Sequence, residues 1–129
     1  MTDPRPDPEK RRAAEEHYYC AVDAMADADL PAAIRKFRAA LAEDETFLDA
    51  WHGLIRTLQD AGNLEEALQM ALRLVKLGPD DVLVHTRLSI LYQMQGKIAE
   101  AEAESARARV LGWKSELRNS APVSDRNLS

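Results

Sequence analysis

The feature that most constrains this chain is an internal repeat with a period of 34 residues. Three registers begin at Ala14, Leu48 and Val82. In every register a small residue is followed, five positions later, by an alanine. The small residues are Ala28, Gly62 and Gly96, and the alanines are Ala33, Ala67 and Ala101. A period of this length is typical of helical hairpins that stack on one another and bury a shared core.

Each register holds two apolar patterns with helical spacing. In the second register, Trp51, Leu54 and Leu58 form the first stripe, and a second stripe begins at Leu64. The segments Asp7-Pro8 and Asp29-Leu30-Pro31 predict helix starts, because Asp caps a helix and Pro is tolerated in its first turn. Gly78-Pro79 predicts a helix end, and Gly112 predicts the end of the last helix.

The pattern resembles the tetratricopeptide repeat, a helix-turn-helix unit of the same length. The matching residues are Trp51, Leu54, Ala67 and Pro79 in the second register, Leu88, Tyr92, Ala101 and Ala108 in the third, and Ala21, Ala33, Phe37 and Ala40 in the first. The chain departs from the family pattern where His17 and His85 replace the tryptophan, and where Glu45 and Trp113 replace the closing proline.

The resemblance implies an all-α fold, a right-handed α-solenoid of three helix-turn-helix hairpins. We expect the repeat domain to span residues 14–114, divided into 14–47, 48–81 and 82–114. Residues 1–13 would then form an N-terminal tail and the start of the first helix. Residues 115–129 would form a mobile C-terminal tail, because they are polar and contain Pro and Ser.

Composition and charge exclude several classes of ligand. The net charge of −5 argues against nucleic acid, since binding to phosphates needs a basic face. No apolar stretch approaches the length of a membrane span, so no membrane contact is expected. Cys20 is the single cysteine, which fits a reducing compartment, and the cytoplasm is the expected location. Because Cys20 falls in the apolar stripe of the first helix, we expect it to be a small buried residue.

The resemblance also implies a binding surface, because the first helix of each hairpin in this family lines a concave groove that takes peptides. Carried over residue by residue, this groove would be lined by Tyr18, Val22 and Met25, by His52, Arg56 and Gln59, and by Arg87, Ile90 and Met94. Methionine and tyrosine offer adaptable apolar contact, and arginine can hold a carboxylate. A segment of a partner protein with an apolar stretch and an acidic group would suit this surface.

One specialised ligand is not expected. Some family members hold the C-terminal carboxylate of heat-shock chaperones with a clamp of Lys, Asn, Asn, Lys and Arg. The matching positions here are Tyr18, Val22, Gly53, Leu83 and Arg87, of which only Arg87 agrees. The chain is therefore not predicted to bind chaperone tails in that way.

The sequence carries no arrangement of side chains that predicts catalysis, a cofactor or a metal. His17, His52 and His85 fall nearly one repeat apart, and equivalent places in successive hairpins are too far apart to share a metal ion. We expect these histidines to have structural roles. The chain is interpreted as a protein-binding module and not as an enzyme.

The distribution of charge leaves an alternative function open. Residues 14–47 hold eight acids and three bases, residues 48–81 hold six and three, and residues 82–115 hold three and five. An acidic start and a basic end would favour head-to-tail contact between copies, and would make the chain a self-assembling scaffold that oligomerises through its uncovered C-terminal end. The simpler interpretation is that the two ends are solvated differently.

Overall fold

A computed structural model describes the backbone of residues 7–128 and the side chains of residues 7–120. These residues form six α-helices: α1 (Pro8–Ala26), α2 (Leu30–Glu43), α3 (Leu48–Asp60), α4 (Leu64–Leu77), α5 (Val82–Met94) and α6 (Ile98–Leu128). The prediction of an all-α chain is confirmed for these residues, none of which lies in a strand. Residues 1–6 and Ser129 of the expected tails lie outside the described residues.

The turns between α1 and α2, α3 and α4, and α5 and α6 have the same geometry. Their small residues all adopt the left-handed backbone conformation: φ is 58° at Ala28, 82° at Gly62 and 77° at Gly96. At the first turn, the amide of Ala28 donates to the carbonyl of Met25 (2.9 Å), and the amide of Asp29 donates to that of Ala24 (2.8 Å). The same two bonds recur 34 and 68 residues later, so each turn is a Schellman-type helix end.

The signals for the ends of the helices are confirmed with one exception. The Asp7 side chain accepts from the amide of Glu9, and the Asp29 side chain accepts from the amide of Ala32. Helix α4 ends at Leu77, immediately before Gly78. The predicted end at Gly112 is wrong, because α6 continues through it to Leu128. A single glycine costs a helix only about 1 kcal/mol, so good helix formers around it outweigh it.

Most of the segment predicted to be a C-terminal tail is helical. Residues 115–128 lie in α6 and are not an irregular tail. Their mobility is a separate property and stays a prediction. No helix in residues 7–128 is both long and apolar enough to cross a membrane.

The chain divides into two compact units, the first ending at Met70 and the second beginning at Ala71. In the first unit, α2 packs against both α1 and α3. Its buried core contains Ala14 and Ala21 of α1, Ala33, Phe37 and Ala40 of α2, and Leu54, Ile55 and Leu58 of α3. The small residues of α1 and α2 allow those two helices to approach closely.

Cys20 departs from the prediction that it is buried, because its side chain is exposed. Its neighbour Ala21 is buried instead. The core of the first unit meets α1 along the side that carries Ala14 and Ala21, two helical turns apart. Cys20 lies outside that line.

A polar contact ties the start of α1 to the end of α2. The Arg11 guanidinium donates to Asp44 Oδ2 (3.1 Å) and lies 3.9 Å from the centre of the Phe47 ring. The amide and hydroxyl of Thr46 both donate to Asp44 Oδ1, at 2.9 and 2.6 Å. Burial raises the pKa of Asp44, but the hydrogen bonds from Thr46 and Arg11 outweigh burial, so this pKa lies below its usual value.

In the second unit, α5 packs against α6. Helix α5 buries Val84, Leu88 and Leu91, and α6 buries Ala101. The hydroxyl of Ser89 donates to the carbonyl of Ala101 (2.8 Å), and this hydrogen bond joins the two helices. One alanine of each hairpin is buried, as the repeat predicts: Ala33, Ala67 and Ala101.

Candidate functional site

The α1 residues predicted to line a binding surface have different environments. Tyr18 is half-buried, and its ring centre lies 5.1 Å from that of Phe47 and 5.8 Å from that of Phe37. Burial, with smaller contributions from Asp49 and Tyr19, raises the pKa of Tyr18. Tyr18 therefore helps to form the aromatic packing of the first unit, and its open edge is the part that remains for a ligand.

Val22 and Met25 continue the same face of α1 towards its C-terminal end. Val22 is exposed, and Met25 is half-buried. They follow Tyr18 by four and seven residues, which places all three on one side of the helix. This face offers apolar contact without a charged group among its three predicted members.

Helix α3 presents a narrow open stripe. His52 is only 8% exposed, so it belongs to the buried part of this helix and departs from its expected place on an open surface. Arg56 is exposed, Gln59 is half-buried, and Asp60 is exposed. The Nε of Arg56 donates to both carboxylate oxygens of Asp60, at 3.2 and 3.3 Å. A ligand carboxylate at Arg56 would have to compete with Asp60.

Helix α5 carries an apolar stripe that sequence analysis identified only in part. Leu83, Ile90 and Met94 are exposed, and Arg87 is half-buried between them. They occur at i, i+4, i+7 and i+11, so they lie along one face of α5. Leu83 is not in the binding surface predicted from the sequence. Its spacing of four residues from Arg87 is the signal that could have placed it on this face. We call these four residues the α5 stripe.

The predicted residues thus fall into two groups, one in each compact unit. Tyr18, Val22, Met25, Arg56 and Gln59 belong to the first compact unit, where α1 and α3 are in contact. Arg87, Ile90 and Met94 belong to the second. A role in binding stays a prediction for every member of both groups.

A second surface lies along α6. A cavity of about 450 Å³ is lined by Asp80, Val82, Leu111, Lys114, Ser115, Leu117 and Arg118. A cavity of about 370 Å³ is lined by Pro79, His85, Ala106, Arg107, Val110 and Leu111. Both lie between residues 79–85 and α6, and both are lined by Leu111. Together they form one surface, which we call the C-terminal cleft.

His85 anchors the wall of this cleft. Its Nδ1 lies 2.7 Å from Glu104 Oε2, and its Nε2 lies 2.7 Å from the carbonyl oxygen of Pro79. Glu104 also accepts a hydrogen bond from Arg107. Burial lowers the pKa of His85, but the contacts with Glu104 and Pro79 outweigh burial and raise it above its usual value. His85 therefore has the structural role that the sequence predicts.

Among the described residues, no three His, Cys, Asp or Glu side chains are grouped so that they could hold a metal ion. His17 is half-buried, whereas His52 and His85 are buried. The expected cytoplasmic location stays a prediction, because no structural observation tests it.

Comparison with known proteins identifies the fold. A sequence model described as "Tetratricopeptide repeat" matches residues 24–88. No curated protein sequence matches the chain significantly. A crystal structure of MamA has a TM-score of 0.76 and 19% identity, covering 81% of this chain and 61% of that chain. This chain therefore spans about three fifths of the length of that MamA chain.

Two further solved structures are described as complexes with a ligand. The TPR2B domain of yeast Sti1, in a complex with pHsp70, has a TM-score of 0.74 and 15% identity, with 91% of this chain and 92% of that chain covered. The Yersinia enterocolitica type III secretion chaperone SycD, in complex with a peptide of the translocator YopD, has a TM-score of 0.76 and 20% identity, with 92% of each chain covered. At these identities the likeness shows the fold alone.

Proposed function

Because the chain belongs to the tetratricopeptide repeat family, we propose that it is a protein-interaction module that binds a peptide or helix of a partner protein. The α5 stripe is the observation that carries this proposal. Leu83, Ile90 and Met94 keep much of their apolar surface in water, which is unfavourable unless a ligand covers it. Binding, and not catalysis, is the function that such a surface supports.

The chemistry of the α5 stripe indicates the kind of segment that would bind. Three apolar side chains along one helix face suit an apolar stretch of similar length. Met94 is flexible and polarisable, so it can adapt to ligand side chains of different shape. Arg87 lies between Leu83 and Ile90, where a carboxylate of the ligand could accept two parallel hydrogen bonds from its guanidinium. We therefore propose a ligand that combines an apolar stretch with one acidic group.

The first unit would bind through a surface of its own, which contains Val22, Met25, the open edge of Tyr18 and Arg56. A ligand carboxylate at Arg56 would compete with Asp60, which already accepts a hydrogen bond from its Nε. Exchanging the Asp60 carboxylate for a ligand carboxylate at Arg56 gains little free energy, because ion pairs between exposed groups are weak.

The descriptions of the two ligand-bound structures support the general function and do not extend to their ligands. Sti1 TPR2B is described with pHsp70, and SycD with a peptide of YopD. Four of the five clamp positions differ in this chain, so we do not propose the chaperone tail as its ligand. The proposed ligand is defined by its chemistry alone.

Selection from a displayed library of random peptides tests the proposal. Enriched peptides are synthesised, and their affinities are measured by calorimetry for the wild type, Met94→Glu and Val110→Glu. These two substitutions are matched, because Met94 is 50% exposed and Val110 is 48% exposed. We expect Met94→Glu to weaken binding by about tenfold or more, and Val110→Glu to leave it unchanged. Failure to enrich any peptide, or equal affinities for Met94→Glu and the wild type, would contradict the proposal.

Self-association, the alternative that the charge distribution leaves open, depends on a different surface. It would use α6 and not the α5 stripe. The two functions can therefore be tested independently of each other.

A further inference from the structure

Val110 and Leu117 line the C-terminal cleft and, with Trp113 beside them on α6, form an exposed apolar group that we call the apolar centre. Val110, Trp113 and Leu117 are all exposed, and Trp113 is 65% exposed. They occur at i, i+3 and i+7 of α6, so they share one side of the helix. Exposed aromatic and aliphatic side chains that cluster beside a cavity mark surfaces that bind other proteins.

The flank of this apolar centre is basic. Arg107, Lys114 and Arg118 lie on the same side of α6 at intervals of seven and four residues, and all three line the cleft. Asp80 is the acidic residue among the groups that line the two cavities. A complementary partner must therefore present acids at a spacing of about two helical turns beside an apolar side chain.

The outer face of α1 has this composition. Glu9, Glu16 and Asp23 are exposed and lie seven residues apart, on the side of α1 opposite to the buried Ala14 and Ala21. Arg12 lies on the same side. Tyr19, which is 63% exposed, lies between Glu16 and Asp23 and supplies the large apolar side chain.

The spacings of the two faces match. Seven residues of an α-helix rise about 10.5 Å, so Glu16 and Asp23 are as far apart along α1 as Arg107 and Lys114 are along α6. Two opposite charges can therefore meet two others whichever way the helices run. Ion pairs at a surface contribute little free energy, but they select the partner and fix the register. The free energy would come from covering Tyr19, Trp113 and Leu117.

From this complementarity we propose that the C-terminal cleft binds α1 of a second copy of the chain. Tyr19 of one copy lies over the apolar centre of the other, and Glu16 and Asp23 lie beside its basic flank. The interface joins two different surfaces, so each copy can bind one neighbour at α1 and another at the cleft. The proposal does not rest on peptide binding, because neither face includes the α5 stripe.

Two charge-reversal variants test the proposal. The cleft variant carries Arg107→Glu and Lys114→Glu, the two basic residues whose spacing matches that of Glu16 and Asp23, and the helix variant carries Glu16→Lys and Asp23→Lys. Arg107 also contacts Glu104, so the folding of the cleft variant is checked before its association is measured. Glu43 and Glu102 are exposed and lie on neither face, so Glu43→Lys with Glu102→Lys matches the charge change of the helix variant as a control. Circular dichroism establishes that each variant is folded.

Analytical ultracentrifugation over a range of concentrations measures association. We expect the wild type and the control to associate, and each charge-reversal variant alone to associate about tenfold more weakly or not at all. An equal mixture of the cleft and helix variants should associate again, because each reversed face then meets a reversed partner. A further variant, Trp113→Glu, should weaken association without this rescue.

Three results would overturn the proposal. The wild type could remain monomeric at every concentration. The helix variant could associate as strongly as the wild type, which would mean that α6 pairs with something other than α1. The mixture could fail to recover association although both variants are folded. None of these results bears on binding by the α5 stripe, so the two proposals can fail separately.

Discussion

The ring of Phe37 in α2 occupies the space beside Gly53 in α3. A β-carbon at Gly53 would lie 2.5 Å from Cζ of Phe37, which is closer than real β-carbons approach another atom. Phe37 is buried, so its ring has little freedom to move away. The absence of a side chain at Gly53 is therefore the condition for the contact between α2 and α3 at this point.

Gly53→Ala should lower the free energy of unfolding by about 1–2 kcal/mol, because the cost of overpacking exceeds the gain in helix propensity. Gly112→Ala is the control, since no atom lies within 4 Å of a β-carbon there. It should raise the free energy by about 0.5–1 kcal/mol. Urea unfolding measures both. If both substitutions raised the free energy of unfolding by the same amount, the packing of Phe37 would not require a glycine at position 53.

Ala28 occupies a left-handed position that glycine fills in the other two turns. Its φ of 58° is unfavourable for a residue with a β-carbon. Ala28→Gly should therefore raise the free energy of unfolding by about 0.5–1 kcal/mol, after the greater entropy of glycine in the unfolded chain is subtracted.

The reverse substitutions provide the matched test. Gly62→Ala and Gly96→Ala should each destabilise the protein by about 1 kcal/mol through the backbone alone, since a β-carbon at either position meets nothing within 4 Å. Ala26→Gly, in the helical last turn of α1, should also destabilise. A destabilising Ala28→Gly would show that the turn gains nothing from glycine.

Asp44 should make the first unit sensitive to acid. The hydrogen bonds from Thr46 and Arg11 hold its pKa below the usual 3.8, so its contribution is present above that value. The contribution is lost as the pH falls through the pKa of the folded state, where the unfolded chain binds the proton first. Asp44→Asn should destabilise by about 1–3 kcal/mol at neutral pH, because it weakens bonds to a buried group.

The measurement is the free energy of unfolding between about pH 6 and pH 2 for the wild type and Asp44→Asn. The difference between them should shrink as the solution becomes acidic. Asp60→Asn is the control, because Asp60 is an exposed carboxylate that also pairs with an arginine. A constant difference for Asp44→Asn would show that its carboxylate does not stabilise the fold in its charged form.

Sequence alone predicted the turns and most helix ends, because each depends on residues only a few positions apart. Ala28, Gly62 and Gly96 are one example, and the cap at Asp29 is another. The buried side of each helix was harder to predict from the sequence than its ends. Cys20 holds the repeat position that Leu54 and Leu88 hold, and those two are buried. Equivalent places in sequence do not have equivalent neighbours in the fold.

The candidate sites show the same division. His52 was expected on an open surface, but α3 is contacted by both α1 and α2, so most of its circumference is buried. The C-terminal cleft could not be predicted, because it needs α6 to continue past Gly112 and carry Leu117 and Arg118 beyond it. The length of α6 depends on the balance of several small propensities, which no single residue determines.

His85 should make the second unit sensitive to pH in the opposite sense to Asp44. Its two ring nitrogens both lie 2.7 Å from acceptors, Glu104 and the Pro79 carbonyl, and only the doubly protonated ring donates to both. The raised pKa of His85 means that this stabilisation is fully present below the usual 6.5. It is lost as the pH rises through the higher pKa of the folded state.

The free energy of unfolding should therefore fall as the pH rises from about 6 to 9, and nuclear magnetic resonance should give His85 a pKa above 6.5. Glu104→Gln is the control, because its amide can donate to a neutral Nδ1 at the same place. It should lower the pKa of His85 and reduce the dependence of stability on pH over this range. A pKa below 6.5 in the wild type would mean that burial outweighs the two acceptors, and that His85 is held as a neutral ring.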